Sequence, residues 1–195
     1  MEETALLARA RRGDTGAYGE LVRAHELNIR RLATGMLGDA DEAEDAAQDA
    51  FVKAWRNLRA FRGDAAFGTW VHRIAVNACR DRLRRRSRRP GVSWDALLEF
   101  LGGEPASTAT PATRTTGRTD ARDELQRLLA SLPPDHRAIL LLREANGMAY
   151  DEIAATMGVS LDAVKARLRR ARIAAQAAAR HFDAPVASNQ QEKPR

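Results

Sequence analysis

Lys165, Arg167, Arg169, Arg170 and Arg172 crowd around Val164 and Leu168 in the stretch LDAVKARLRRAR. On a helix this pattern sets a cationic surface beside an apolar seam. The seam can hold the helix on a partner helix, while the charged tips reach phosphates and base edges in a major groove. The preceding YDEIAATMGVS supplies the rest of a helix-turn-helix. Ala154 is small where two helices cross. Gly158 permits the positive φ of a tight interhelical turn, and Ser160 can cap the second helix. Ile153, Met157, Val159, Val164 and Leu168 supply the contacts between the helices. Asp162 suits the positive end of the helix but repels phosphate, so it should point away from the DNA backbone or toward a cytosine amino group. Ala149 stands where a capping hydroxyl is expected, which leaves that helix start less well satisfied.

A second basic run, Arg80, Arg82, Arg84, Arg85, Arg86, Arg88 and Arg89, follows FRGDAAFGTWVHRIAVNACRD. Phe61, Phe67 and Trp70 offer stacking faces, and Asn77 offers an amide. Aromatics beside cations suit unstacked DNA, because every base has a π face. Core packing is the competing reading for the three aromatics.

The stretch GDADEAEDAAQDAFVKAW, residues 38–55, is acidic in a chain of net charge +6 and pI near 10.3. Acids in a helix's first turn gain about 0.3–1 kcal/mol each from the dipole, which accounts for Asp39, Asp41 and Glu42. Asp49 can pair with Lys53 four residues on, for about 0.2–0.5 kcal/mol. Asp45 and Gln48 have no such local reason to be there.

No carboxylate pair, nucleophile arrangement or clustered ligands point to catalysis or a metal. Cys79 is the only cysteine, so no intrachain disulfide is possible, and His25, His72, His136 and His181 are scattered. No cofactor is expected. No apolar run approaches the roughly 20 residues needed to span a bilayer, and MEETALLARARRGD does not read as a signal peptide. A cytoplasmic protein is expected.

These residues need helices to position them. Apolar residues recur with helical period from Tyr18 to Met36, from Ala43 to Leu58, and from Trp70 to Leu83. Residues 102–119, rich in Gly, Pro, Ser, Thr and Ala, carry no period and read as a flexible linker. Just before them, residues 94–101 can form a short helix or docking segment. Period resumes at Leu125. The expected fold is all-α: a helical domain over 1–90, a linker over 91–121, a helix-turn-helix domain over 122–183, and a disordered tail over 184–195.

Three blocks, DEAEDAAQDAFVKAW, FRGDAAFGTWVHRIAVNACRDRLRR and LASLPPDHRAILLLREANGMAYDEIAATMGVSLDAVKARLRRAR, occur in the order and spacing of a known family. The chain resembles bacterial RNA polymerase sigma factors of the extracytoplasmic-function group. The resemblance implies a region 2 that reads and helps melt the −10 promoter element, and a region 4 that reads the −35 element. It places Asp41, Glu42, Asp45, Gln48 and Asp49 on the face that docks on the coiled coil of the polymerase's largest subunit, with region 4 on the flap. It places Phe61, Arg62, Gly63, Asp64, Phe67, Trp70, Arg73, Asn77, Arg80 and Arg84 toward −10 DNA, with residues 61–67 as the loop that receives a flipped base. It places Ser160, Asp162, Ala163, Val164, Lys165, Arg167, Leu168, Arg169 and Arg170 toward −35 DNA. Ala163 and Ala166 replace a Thr and a Ser common in the family. An anti-sigma factor is an expected partner beside core polymerase and promoter DNA. The alternative is a stand-alone helix-turn-helix regulator that binds duplex DNA unaided.

Overall fold

Asp14 starts the first long helix: its side chain accepts from the Ala17 N–H at 2.9 Å. That N–H, and then Arg9 beside it, hold the Asp14 carboxyl below its ordinary pKa. The computed structural model describes residues 3–88 and 118–183, and among them every regular element is helical. The order is α1 (Glu3–Arg11), α2 (Thr15–Leu37), α3 (Ala40–Asn57), a 3-10 turn (Leu58–Ala60) and α4 (Phe67–Arg88). There follow α5 (Arg118–Ser131), α6 (Pro134–Leu140) running on into a π-helical turn (Leu141–Ala145), α7 (Tyr150–Met157) and α8 (Leu161–Asp183). Segment 94–101 and the tail from 184 lie outside the described residues.

The periodic segments of the sequence become α2, α3 and α4. Helix α1 was not expected; only Leu6 and Ala10, one turn apart, turn it toward the core. Helix α5 begins at Arg118, inside the stretch assigned to the linker.

Helix α3 buries Ala43, Ala46, Ala47, Ala50 and Ala54. Small side chains at a contact let helix axes approach closely, and α3 packs between α2 and α4 in this way. The Tyr18 hydroxyl donates to the Phe51 carbonyl at 2.6 Å, tying α2 to α3, and burial raises that phenol to about 12. Cys79, fully buried on α4, is pushed up to about 12 by the same cause.

The two halves, α1–α4 and α5–α8, share one hydrophobic core. Leu21, Ile29, Phe67 and Val76 belong to the same buried cluster as Ile139, Leu142, Ile153 and Leu168. Helix α4 lies against α7, and α2 lies against α6 and the π turn. The closest seat is at Gly35, where an added Cβ would fall 2.5 Å from Leu141 Cδ2. Arg137 of α6, 7% exposed, donates through Nη1 to the Met36 carbonyl of α2 and through Nη2 to the carbonyls of Ala130 (2.8 Å) and Leu132 (3.2 Å). Met36 is in the last turn of α2, whose carbonyls have no partner within the helix. Arg86 of α4 serves the neighbouring Leu37 carbonyl at 3.1 Å. A guanidinium from each half thus finishes the same helix end. Burial, and then the like charge of Arg86, lower the Arg137 pKa.

Candidate nucleic-acid interface

The turn of the helix-turn-helix forms as its residues demand. Gly158 takes φ +67 and its N–H reaches the Ala154 carbonyl, while Ser160 Oγ accepts from the Ala163 N–H at 3.2 Å. Ala149 offers no side-chain acceptor, but its N–H donates to Glu152 Oε2 at 2.8 Å. The helix start is therefore held from within α7, by the half of a capping box that an alanine leaves intact. Glu152, three residues on, was the sequence signal for it.

On α8, Val164 and Leu168 are buried and fix the helix on its partners; Ala163 and Arg167 are half-buried. Lys165, Arg169 and Arg170 stand exposed, with Lys165 Nζ 3.4 Å from the exposed Asp162. The outward groups are thus cationic, and Asp162 spends its charge on a neighbouring lysine.

In the first half, Phe61 and Phe67 are 5% and 1% exposed. Their centroids lie 6.3 Å apart, and Trp70 stands 4.8 Å and 6.0 Å from them. Packing takes the faces of both phenylalanines, so they shape the loop from within. What the loop presents outward is Arg62, Gly63 and Asp64. Trp70 stays half-exposed, with Arg73 and Asn77 on the following turns of the same face of α4. Trp70, Ile74 and Asn77 share a pocket of 400 Å3 with Lys53, Asn57 and Ala60. Lys53 and Asn57 come from α3, and no spacing in the sequence joins them to Asn77.

The arginine run of α4 is largely neutralised. Arg80 pairs with Asp135 at 2.8 Å, Arg82 with Asp49 at 2.6 Å, Arg84 with Asp81, and Arg86 with Glu42 at 2.6 Å. Asp49 therefore reaches across to Arg82, and the local pair with Lys53 does not form: the guanidinium of the packed helix is already in place. Of the acidic face, Glu42 and Asp49 act as struts between α3 and α4. Asp41, Asp45 and Gln48 remain exposed on one stripe, and among the described residues Gln48 bonds only Glu44, at 3.2 Å. Arg11, Arg56 and Arg59 instead surround a 290 Å3 pocket with Trp55 and Leu58, and no carboxylate lines it.

Residues 21–89 match the family model described as Sigma-70 region 2, and residues 122–174 match that described as Sigma-70, region 4. The chain is 38% identical over 175 residues to the RNA polymerase sigma-H factor of Pseudomonas aeruginosa, covering 88% of this chain and 90% of that protein. It is 35% identical over 176 residues to the ECF RNA polymerase sigma-E factor of Escherichia coli K12, covering 88% and 91%. The chain belongs to the sigma-70 family, as a sigma factor of the extracytoplasmic-function type.

Solved sigma factors carry the same fold. The structure of CnrH in complex with the cytosolic domain of CnrY aligns with TM-score 0.67 and 28% identity over 93% of this sigma factor and 99% of that chain. The sigma factor RpoE of Bartonella quintana, in complex with the anti-sigma factor NepR, aligns with TM-score 0.61 and 26% identity over 84% and 96%. In the present sigma factor, region 4 closes over region 2. The loop residues Arg62 and Asp64, with Trp70 and Arg73 of α4, face Ala155 and Ser160 of the helix-turn-helix across a 670 Å3 cavity. Among the described residues, no helix is long and apolar enough to cross a membrane.

Proposed function

We propose that this sigma factor reads the −10 strand with the Trp70, Arg73 and Asn77 face of α4, with the exposed Arg62–Asp64 loop beside it. Lys53 and Asn57 complete the pocket there. Lys165, Arg169 and Arg170 read −35 duplex, with Arg167 joining them when its ion pair is released. The observation that supports this most is the shared pocket: a half-exposed indole, two amides and a lysine around 400 Å3. An indole stacks on any base, and amides hydrogen-bond to base edges. Asp41, Asp45 and Gln48 form the face for core polymerase. The protein works in the cytoplasm by differential binding and performs no covalent chemistry, and an anti-sigma factor is its regulator.

The test is reconstituted initiation with core polymerase at a cognate promoter. Asn77→Ala is expected to impair opening, and Lys165→Ala to weaken initiation that depends on the −35 element. A base contact is worth about 1–3 kcal/mol, so each loss should be about 5-fold to 150-fold. Normal initiation by both variants would overturn the residue assignment.

A further inference from the structure

Three guanidiniums face one hollow where α1, α3 and the 3-10 turn meet. Arg11 comes from the last turn of α1, Arg56 from the last turn of α3, and Arg59 from the 3-10 turn that follows. All three are exposed, and with Trp55 and Leu58 they line the 290 Å3 pocket whose wall holds no carboxylate. Other arginines of the chain are matched by acids: Arg80 and Arg167 share Asp135 at 2.8 Å and 3.5 Å, and Arg172 meets Glu144 at 2.7 Å. Cations are favoured at helix C-termini, where the dipole is negative. That accounts for Arg11 and Arg56, each at the end of its own helix. It gives no reason for both to converge with Arg59 on one space, where like charges repel.

We propose that Arg11, Arg56 and Arg59 form a phosphate-binding site. A guanidinium presents paired N–H donors that match phosphate oxygens. Arg11 Nε donates to the Leu58 carbonyl at 3.5 Å, and its Cζ lies 5.9 Å from the Phe61 ring centroid, so this guanidinium is oriented before any anion arrives. Its Nη groups remain for the ligand. The floor is apolar: Ala10 and Leu58 are each 2% exposed, and Trp55 is half-buried against Tyr18, with ring centroids 4.8 Å apart. Such a floor strengthens charge-assisted bonds made above it. The volume falls below the about 300–1,000 Å3 of pockets that enclose a whole small molecule. The hollow therefore suits one phosphate group, either free or carried by a nucleic-acid strand. Arg59 stands two residues before Phe61, where the loop proposed for −10 DNA begins, so a strand held by that loop has phosphates close at hand. Helix α1 precedes the residues 21–89 matched to region 2, so Arg11 adds a cation from outside the matched stretch. The site does not depend on α4 reading −10 DNA; the strand as its phosphate source does.

Two measurements test the site and separate its sources. In the free full-length chain, inorganic pyrophosphate is expected to shift the Nε–H resonances of Arg11, Arg56 and Arg59 together and saturably, with those of Arg169 and Arg170 unmoved at equal ionic strength. Arg56→Gln with Arg59→Gln should weaken this binding about tenfold or more, as loss of charge-assisted hydrogen bonds does, with helical circular dichroism unchanged. In holoenzyme with core polymerase, single methylphosphonate replacements along the −10 non-template strand should weaken binding at one position in the unaltered protein and have no effect there in the double variant. A response of the free chain alone assigns the site to a free phosphate-bearing ligand, and a response in the holoenzyme assigns it to the strand. The proposal is overturned if pyrophosphate moves no resonance, or moves every exposed arginine alike as an ion atmosphere would, and no methylphosphonate position depends on the two arginines. An arginine-dependent position beside normal strand binding by Asn77→Ala would keep the site and remove the α4 assignment.

Discussion

The guanidinium of Arg137 in region 4 donates to the carbonyl oxygen of Met36 in region 2. It also holds Ala130 and Leu132, so one side chain joins the end of α2 to the α5–α6 turn. Arg137→Met keeps most of the volume and removes every donor. Leaving buried carbonyls without partners costs about 1–3 kcal/mol, so urea unfolding should show a loss of about 2–3 kcal/mol. Arg137→Lys should recover only part, since one ammonium cannot span both helix ends.

The His72–Asn146 contact predicts a pH response. His72 Nδ1 faces the Gly68 carbonyl at 2.7 Å and must carry the proton. The Asn28 carbonyl likewise fixes the Asn146 amide nitrogen, which leaves His72 Nε2 as an acceptor and the ring neutral. Burial is the main cause that lowers the His72 pKa from 6.5; His25 on α2 lowers it further, while the Gly68 carbonyl and then Glu152 on α7 raise it. A histidine depressed in the closed form stabilises that form fully above 6.5, and the contribution is lost as pH falls below it. Energy transfer between dyes on the two regions should therefore hold above about pH 6.5 and fall as the pH drops below it. His72→Gln should flatten that profile.

The acidic face separates into struts and contacts. Asp45→Arg with Gln48→Ala alters exposed groups that carry no link between helices. Helical circular dichroism should be unchanged while core-polymerase affinity is abolished in a pull-down. Unchanged affinity would remove the assignment.

Among the described residues Arg56 and Arg59 line a pocket with no carboxylate in its wall, and Arg59 lies in the turn that leads into the loop proposed for −10 DNA. If each holds a phosphate of the melted strand, the salt dependence of open-complex stability falls by about 0.7 in log-log slope per phosphate lost. Arg56→Gln and Arg59→Gln should each show this when lifetimes are measured across a salt series.

The helix-turn-helix could be read from residues because its determinants are local. Gly158 and Ser160 sit two residues apart, and Val164 and Leu168 four, so spacing alone specifies turn, cap and seam. The partner of Asp49 could not be read the same way. Lys53 is one helical turn away, whereas Arg82 is thirty-three residues along the chain, and only packing of α3 on α4 selects it. Phe61 and Phe67 failed as stacking faces for a related reason: composition shows that aromatics are present, while burial decides whether their faces are free. The docking of region 4 on region 2 rests on Gly35 meeting Leu141 and Arg137 meeting Met36, pairs with no sequence period.

Cys79 carries one more consequence. Its thiol is shielded on α4, and burial pushes it up to about 12, which disfavours the thiolate with which peroxides and disulfides react. This sole cysteine therefore offers oxidants a poor receptor, and a thiol-borne alarm is better received by another molecule than by this one.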